Sequence, residues 1–497
     1  MGNQASSAAA ATPDLRSCLT TAVGGDANVA FPNELLYQLT DVKPYNLDIP
    51  VTPAAITYPS TSAEVAAIIA CAAQYDHKVQ ARSGGHSYGN YCMSNPPAQD
   101  AATCSLHAGL GGANSSAVVI DMKKFQQFDM DSTTWIATVG AGTLLEDVTD
   151  RMHEAGGRVI AKGVAPQVGI GGHATIGGLG PQGRTLGTAA DQIVEVEVVL
   201  ANSSIIRASA QENEDVFFAV RGAGASFGVV TEFKFQTSPE PGEMVQYSYN
   251  ITVGSPDVLA STFKAWNKLV SDPNLSRKFA SVLTIFEGGI SISGTFFGGQ
   301  PEFDALNLRG ALGDKVDLNV TLVNSLVGAV GEWANDFGLQ ITGGIPASFY
   351  SKSLTFTPTT LMNDAAIDAL FQYLDQVDTG SLIWFIIFDL AGGAINDVPL
   401  DDAAYALRDT IYFLQSYAVD IGRVDEKTRN FLDGVNDLIE KNVPGVSGAY
   451  PGYVDPALPD GQQQYWGKNL PRLEKIKAAV DPRDIFHNPQ SVQPAKS

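Results

Sequence analysis

The sequence predicts an α+β protein of two or three lobes, and three observations carry that reading. At 497 residues the chain exceeds what one ordinary hydrophobic core organises, so two or three lobes are expected. From about residue 50 to Gly157, strand-like and helix-like segments alternate in short order. After SPEPGE (238–243) the text turns to long strands and amphipathic helices with fewer glycines, the pattern of a sheet covered by helices on one face. The chain then divides into an N-terminal segment (1–49), a first lobe (50–238), a second lobe (239–447) and a closing segment (448–497).

Each element has its own signal. SAEVAAIIACAAQYD (62–76) has helical periodicity, and KVQARSGG reads as a strand entering a glycine turn. SAVVIDM, TWIATVGAG and the helix LLEDVTDRMHEAGG continue the alternation. IVEVEVVLANSSIIRAS (193–209) reads as a hairpin around Asn202-Ser203, and DVFFAVRGAGASFGVVTEFKF as a short helix, a glycine break and a strand. In the second lobe FASVLTIF, ISISGTFF and SLIWFIIFDL read as strands, and DDAAYALRDTIYFLQSYA (401–418) as an amphipathic helix. The longest tight apolar run, Leu382 to Phe388, is far short of the roughly 20 residues of a membrane span and stops at Asp389, so a buried strand fits it better.

Composition narrows the function. The chain is 44% hydrophobic and 17% charged, with a net charge of −22 and no lysine or arginine cluster. DNA, RNA and acidic membranes are therefore poor partners, and a small-molecule substrate is the better expectation. The N-terminus has no basic n-region, and Gly2 with Ser6 matches the myristoylation spacing, but no basic residue precedes Arg16 and one acyl chain anchors only marginally. Cys18, Cys71, Cys92 and Cys104 show no CxxC spacing; three full pairings can be drawn, of which Cys18–Cys71 with Cys92–Cys104 closes the most natural loops. Sequons at Asn114, Asn202, Asn250, Asn274 and Asn319 are acceptors only in a secreted chain. These compartment signals conflict; the reading leans intracellular because no export signal is visible, with secretion left open. His77, His107, His153 and His487 lack ligand spacing, so no metal site is expected.

The 49 glycines, about one residue in ten against a usual 7%, concentrate in a few stretches. VGIGGHATIGGLG (168–180) is the densest, and Gly169 to Ala174 formally matches G-x-G-x-x-G/A with Asp191 downstream. A dinucleotide dehydrogenase is therefore a competitor, but Asp191 precedes the strand IVEVEVVL instead of ending it, and no convincing helix follows the glycines. There is no G-x-x-x-x-G-K-[ST]. GAG (140–142), GAGASFG (222–228) and QARSGGHSYGNYC (80–92) add further bare backbone. Glycine turns spread so widely suggest one long ligand held by exposed N–H groups; plain tight turns in a twisted sheet are the alternative.

Taken together, ARSGGHSYG (81–89), VGAG (139–142), GIGGHATIGGLG (169–180), TAADQIVEVEVVLANSSI (188–205), FFAVRGAGASFGVVTEF (217–233) and QYWGKNLPRLEKIKAAVDPRDIFHNPQSV (464–492) resemble the FAD-linked oxidases of the vanillyl-alcohol-oxidase type. The branch they resemble is that of the berberine-bridge-enzyme-like and oligosaccharide oxidases. The resemblance implies a two-lobed (PCMH-type) FAD-binding domain at 50–238, to which 448–497 returns, and a substrate domain at 239–447. It implies FAD bonded through its 8α methyl to His86, with Arg82, Ser83, Gly84, Gly85, Ser87, Gly142, Gly169, Gly172, Gly177, Gly178, Val230, Tyr465 and Asn469 against the cofactor. His173 falls near the ribityl and pyrimidine side, where it polarises. Many relatives carry a second, cysteinyl link within the segment matching KGVAPQVGIGG; this chain has Ala165 there, which implies one covalent bond only.

Oxidising an alcohol by hydride transfer needs a base for the hydroxyl proton. SGAYPGYVDP (447–456) resembles the family's Y-x-x-Y-x-D block, which makes Tyr453 the base and puts Tyr450 in the pocket wall. Asp389, closing an apolar strand, fits the carboxylate that shares the tyrosine's proton; on physical grounds an acid there is costly unless partnered, although a turn cap is the alternative. Tyr88 would face the flavin ring and Phe385 the substrate. Val282, Thr284 and Ile387 fall where sugar oxidases hold hydroxyls, which predicts a drier pocket. The expected activity is an FAD oxidase of a small, biosynthetic metabolite with O2 as acceptor. The alternatives are an oligosaccharide oxidase acting at the reducing end and a non-redox flavoprotein that binds or cyclises its ligand.

Overall fold

Helix Ser62–Gln74 starts where Thr61 caps the Glu64 N–H, and it buries Val65, Ile68, Ile69 and Ala72 along one face. That helix belongs to the first lobe of the computed structural model, which describes residues 14–92, 113–114, 117–313, 318–326, 328–329, 346–381 and 383–496. Gly2, Cys104 and His107 lie outside the described residues. A short helix, Leu15–Ala22, packs on Ser62–Gln74, and Cys18 is bonded to Cys71 between them. Cys92 is bonded to no other cysteine among the described residues.

Two sheets share the first lobe's core. Strands Ala55–Thr57, Ala117–Asp121 and Lys78–Arg82 run parallel, with Val29–Ala30 antiparallel at one edge. All five residues of Ala117–Asp121 are buried, as expected for the middle of a covered parallel sheet. An antiparallel sheet runs Ile205–Ser209, Ile193–Val199, Val229–Gln236, Ile136–Gly140, Phe128–Asp131. The expected hairpin turns at Ser203, the residue in the left-handed region.

The second sheet system is a seven-stranded antiparallel sheet in the order Leu318–Val323, Met244–Ile251, Gly289–Phe296, Val282–Phe286, Ile383–Leu390, Tyr412–Asp420, Ser348–Phe356. One face, with Trp384, Ile386, Phe388, Leu414 and Ala418, packs under helices Pro256–Val270, Asp364–Gln376 and Glu426–Asn442. Period two then puts Phe385, Ile387, Asp389, Phe413, Gln415 and Tyr417 on the other face. The predicted helix over 401–418 is corrected here: only turns precede Tyr412, and Tyr412–Asp420 is an inner strand paired on both sides. Its first seven residues are buried, on both faces of the sheet, and pairing on both sides overrides the helical spacing.

The closing segment returns to the first lobe. Helix Leu470–Val480 packs against Phe218 and Phe227, and the Val79 N–H donates to the Ile485 carbonyl at 2.8 Å. Buried Lys477 donates to the carbonyls of Ser226 and Phe486 and pairs with Asp481 at 2.7 Å. A buried cation so fully partnered acts as a rivet. No helix among the described residues is long and apolar enough to cross a membrane.

Candidate active site

The glycine turns pack backbone on backbone. A Cβ on Gly84 would strike the Gln167 carbonyl and the Gly169 nitrogen; one on Gly169 would strike Ser83 and Gly84. Gly171 lies as closely on the Ala141 carbonyl, and Gly142 on that of Met122. Ser83 Oγ donates to the Ala141 carbonyl at 2.7 Å, closing the three turns on one another. Gly172 is different: a Cβ there meets nothing within 4 Å, so this glycine faces open space. Beside it the buried Thr143 hydroxyl is left without a partner, although its backbone joins both turns through Ile170 N and Gly140 O. A naked concave backbone with an orphaned hydroxyl is the kind of surface that holds an extended, phosphate-bearing ligand such as FAD.

His86 stands at the mouth of the first turn, just after Gly85, whose φ is +78°. It is half-buried and stacks on Tyr45, with ring centroids 4.4 Å apart and planes at 29°. Burial pulls its imidazole down to about 4, so the ring is neutral at physiological pH, as a nitrogen nucleophile must be. His173 is also neutral, pulled down to about 3 by burial and then by Lys162. Its Nε2 accepts the Gly163 N–H at 2.9 Å, which puts the ring proton on Nδ1.

The predicted catalytic pair meets. Tyr453 donates to Asp389 Oδ2 at 3.1 Å. Strand register sets Asp389 opposite Val282 and Phe413, and Ile387 opposite Thr284 and Gln415, on the face away from the helices. Burial raises the Asp389 carboxyl to about 6, the Tyr453 bond pulling it back. Burial, and next the Asp389 charge, drive the Tyr453 hydroxyl well above 10. The phenol therefore keeps its proton, and the carboxylate behind it titrates near neutrality.

Tyr450 ties this pair to the cofactor lobe. Its hydroxyl accepts the N–H groups of Gly178 and Leu179 at 3.1 and 3.4 Å, and its ring meets Tyr453 edge-on at 5.1 Å. Gly178 and its neighbour Gly177 have φ of +83° and +110°, which only glycine takes without strain. Tyr88 lies between the two halves of the site, 6.0 Å from Tyr45 and 6.1 Å from Tyr453. Its hydroxyl accepts from Gln415 at 2.8 Å. Phe385 is buried on the same sheet face, opposite Tyr417.

Other predicted residues turn into the protein. The Arg82 guanidinium pairs with buried Asp121 at 2.6 Å and donates to the Val42 carbonyl. Ser87 Oγ accepts the Tyr91 N–H, and Val230 is buried in the first lobe's core. Tyr465 bonds Gln490, and Asn469 donates to the carbonyls of Leu400 and Ala403. Asp191, the acid of the dinucleotide alternative, is bound to Arg408 at 2.7 Å and caps Thr188. The six-residue helix Ile170–Thr175 contains Gly171 and Gly172 and does not follow them, and Asp191 is spent on joining the lobes. His153 and His487 each sit against a carboxylate, Glu240 and Asp484. Tyr45 and Gln415 were not anticipated. Gln415 lies within the misassigned helix, and nothing in VKPYNLDIP marks Tyr45.

Comparison with known proteins decides between these readings. A family model described as an FAD binding domain matches residues 101–209, and one described as berberine and berberine like matches 449–493. The chain is 39% identical to the FAD-linked oxidoreductase sorD of Penicillium rubens over 96% of this chain and 98% of that one. It belongs to the berberine-bridge-enzyme-like FAD-linked oxidoreductases. Among solved structures, the xylooligosaccharide oxidase from Myceliophthora thermophila in complex with xylobiose superposes with a TM-score of 0.84 at 28% identity, covering 98% of this chain and all of that one. A glucooligosaccharide oxidase from Acremonium strictum, described with a 6-S-cysteinyl, 8α-N1-histidyl FAD, gives 0.83 at 27% identity over 98% of this chain and all of that one. The fold is thus that of the vanillyl-alcohol-oxidase type, the enzyme is an FAD-linked oxidoreductase, and the dinucleotide-dehydrogenase alternative falls.

Proposed function

We propose that this berberine-bridge-enzyme-like oxidoreductase is an oxidase of a small, largely apolar metabolite, acting on an alcohol or related C–H/O–H group. The observation that carries this is the Tyr453–Asp389 hydrogen bond on the open face of the seven-stranded sheet, joined through the stacked Tyr88 and Tyr45 to His86. Residues 50–238 with 448–497 form the flavin lobe in this reading, and 239–447 the substrate lobe. Bound FAD would supply the hydride acceptor and pass its electrons to O2.

The chain's own residues handle position and protons. His86 is the single covalent anchor, because Ala165 has no sulfur to offer. Arg82, Ser83 to Ser87, Gly142, Gly169, Gly172, Gly177, Gly178 and His173 shape the cofactor's bed, most of them through backbone. As the substrate C–H bond breaks, its hydroxyl proton passes to Tyr453 Oη while the Tyr453 proton passes to Asp389 Oδ2. A phenol alone, with its proton held so firmly, would be a poor base at neutral pH; the buried carboxylate makes the relay workable.

Substrate class follows from the wall around the pair. Val282, Thr284, Phe385 and Ile387 share the sheet face of Asp389 and carry no charge or amide to hold a sugar hydroxyl, while the Gln415 amide on that face donates to Tyr88. The sugar oxidases among its relatives keep the reducing-end oligosaccharide reading as the second one. Mixing the enzyme anaerobically with hydroxylated aromatic and polyketide-like metabolites on one side, and xylo- and cello-oligosaccharides on the other, tests both. The expected result is flavin bleaching by the first group and peroxide on admitting air. Bleaching by the sugars alone would reverse the substrate assignment. Bleaching by neither, with ligands merely bound, would favour a non-redox module.

A further inference from the structure

The ring on His86 comes from a segment far from the glycine turns, and that segment is held unusually hard. Tyr45 N–H and Asn46 N–H both donate to Asn90 Oδ1, at 3.1 and 3.2 Å. Asn90 returns two bonds from Nδ2, to the carbonyls of Asn46 and Ile49, each 2.8 Å. Asn46 Nδ2 donates to the Tyr88 carbonyl at 3.0 Å and to the Phe349 carbonyl at 3.1 Å, which ties the same point to the substrate sheet. Asn46 and Asn90 are almost fully buried, and Asn90 has a φ of +52°. Buried amides and a left-handed backbone are costly, so a structure keeps them where they hold something in place.

What they hold is a flat ring over the imidazole. The two asparagines fix 45–49 to 88–90, next to His86 in the chain, and Phe349 meets Tyr45 edge-on at 5.6 Å. The Tyr45 ring thereby covers one face of His86 and limits rotation of the imidazole about its side-chain bonds.

We infer that Tyr45 is the positioning residue for covalent attachment of the flavin: clamped by Asn46 and Asn90, its ring holds the His86 imidazole at the angle from which a ring nitrogen reaches the flavin 8α carbon. This rests on the His86 attachment proposed above. In the attachment one N–C bond forms, the 8α methyl gives up one hydrogen and the ring nitrogen its proton. O2 takes the two electrons and two protons as hydrogen peroxide. Orientation of the attacking nitrogen governs such a step, and loss of a stacked aromatic pair slows it by roughly five- to tenfold.

The test measures attachment directly. The native enzyme, Tyr45→Phe and Tyr45→Leu are isolated at matched early times after induction, precipitated with acid, and the flavin in pellet and supernatant is quantified. Melting curves show that each variant is folded. Native protein and Tyr45→Phe, which keeps the ring, should hold their flavin in the pellet alike. Tyr45→Leu should show a pellet fraction about five- to tenfold lower. If the leucine variant does not fold, Tyr45→His and Tyr45→Met make the same comparison of ring against no ring. Equal attachment with and without a ring overturns the inference, as does loss of attachment in Tyr45→Phe, which would make the hydroxyl the active part. A native chain without pellet-bound flavin would instead remove the His86 reading on which the inference stands.

Discussion

Tyr453 donates to Asp389 across 3.1 Å, from a loop of the closing segment to an inner strand of the seven-stranded sheet. The two residues are 64 positions apart in sequence; the phenol is held protonated, while burial brings the carboxyl to about 6. In the proposed reaction they form a proton relay in which the tyrosine touches the substrate and the carboxylate takes the proton.

Tyr453→Phe keeps the ring, its packing on Tyr450 and the flavin, and removes only the hydroxyl. Anaerobic flavin reduction by substrate should fall by about 10²- to 10⁴-fold, with the visible spectrum of the oxidised enzyme unchanged. Stopped-flow bleaching measures it, and an unchanged rate would mean the base is elsewhere.

Asp389 sets the pH dependence. Its carboxyl is held at about 6 by burial, so kcat/KM should drop on the acid side through that value, where the relay's base becomes protonated. Asp389→Asn should erase this limb and slow reduction by about 10²-fold or more. The stability effect has the opposite sign. A folded-state pKa above the ordinary value means the fold favours the protonated acid, a contribution that is full below about pH 4 and lost as pH rises through about 6. Asp389→Asn should therefore stabilise the enzyme by about 2–3 kcal/mol above pH 7 and hardly at all at pH 4, as melting curves at the two pH values would show.

Two glycines separate packing from ligand contact. Gly169→Ala drives a methyl into Ser83 and Gly84 and should destabilise the fold by about 1–3 kcal/mol. Gly172→Ala meets no protein atom within 4 Å and should melt like the flavin-free native chain, yet lose flavin content if, as proposed, that space holds the cofactor. Flavin-to-protein absorbance ratios beside melting temperatures distinguish the two.

The Cys18–Cys71 bond closes a loop spanning 53 positions and pins the first helix to Ser62–Gln74. Cys18→Ser should cost up to about 4 kcal/mol, read as a lower denaturant midpoint that reductant no longer moves.

The first lobe was largely legible because its chemistry is written in contiguous stretches. SGGH, VGAG and GIGGHATIGG must be glycine where backbones touch, so the residue type itself records the contact. The second lobe was less legible. DDAAYALRDTIYFLQSYA carries enough alanine and spacing to suit a helix, yet Tyr412–Asp420 lies between two strands that pair with it along its length, and Gln415 was lost with that element.

Sequence alone supplied the pieces: a histidine behind two glycines, runs of glycine, a tyrosine block, and an acid near the end of an apolar strand. Only the fold decided that Asp389 and Tyr453 share a proton, that Gln415 holds Tyr88, that Asp191 braces the lobes, and that Tyr45 covers His86. The physical reason is range. Glycine turns and alternating strands are dictated by neighbours in the chain, whereas each of these side-chain meetings closes a long loop, and only the packing of two lobes around one site brings them within reach.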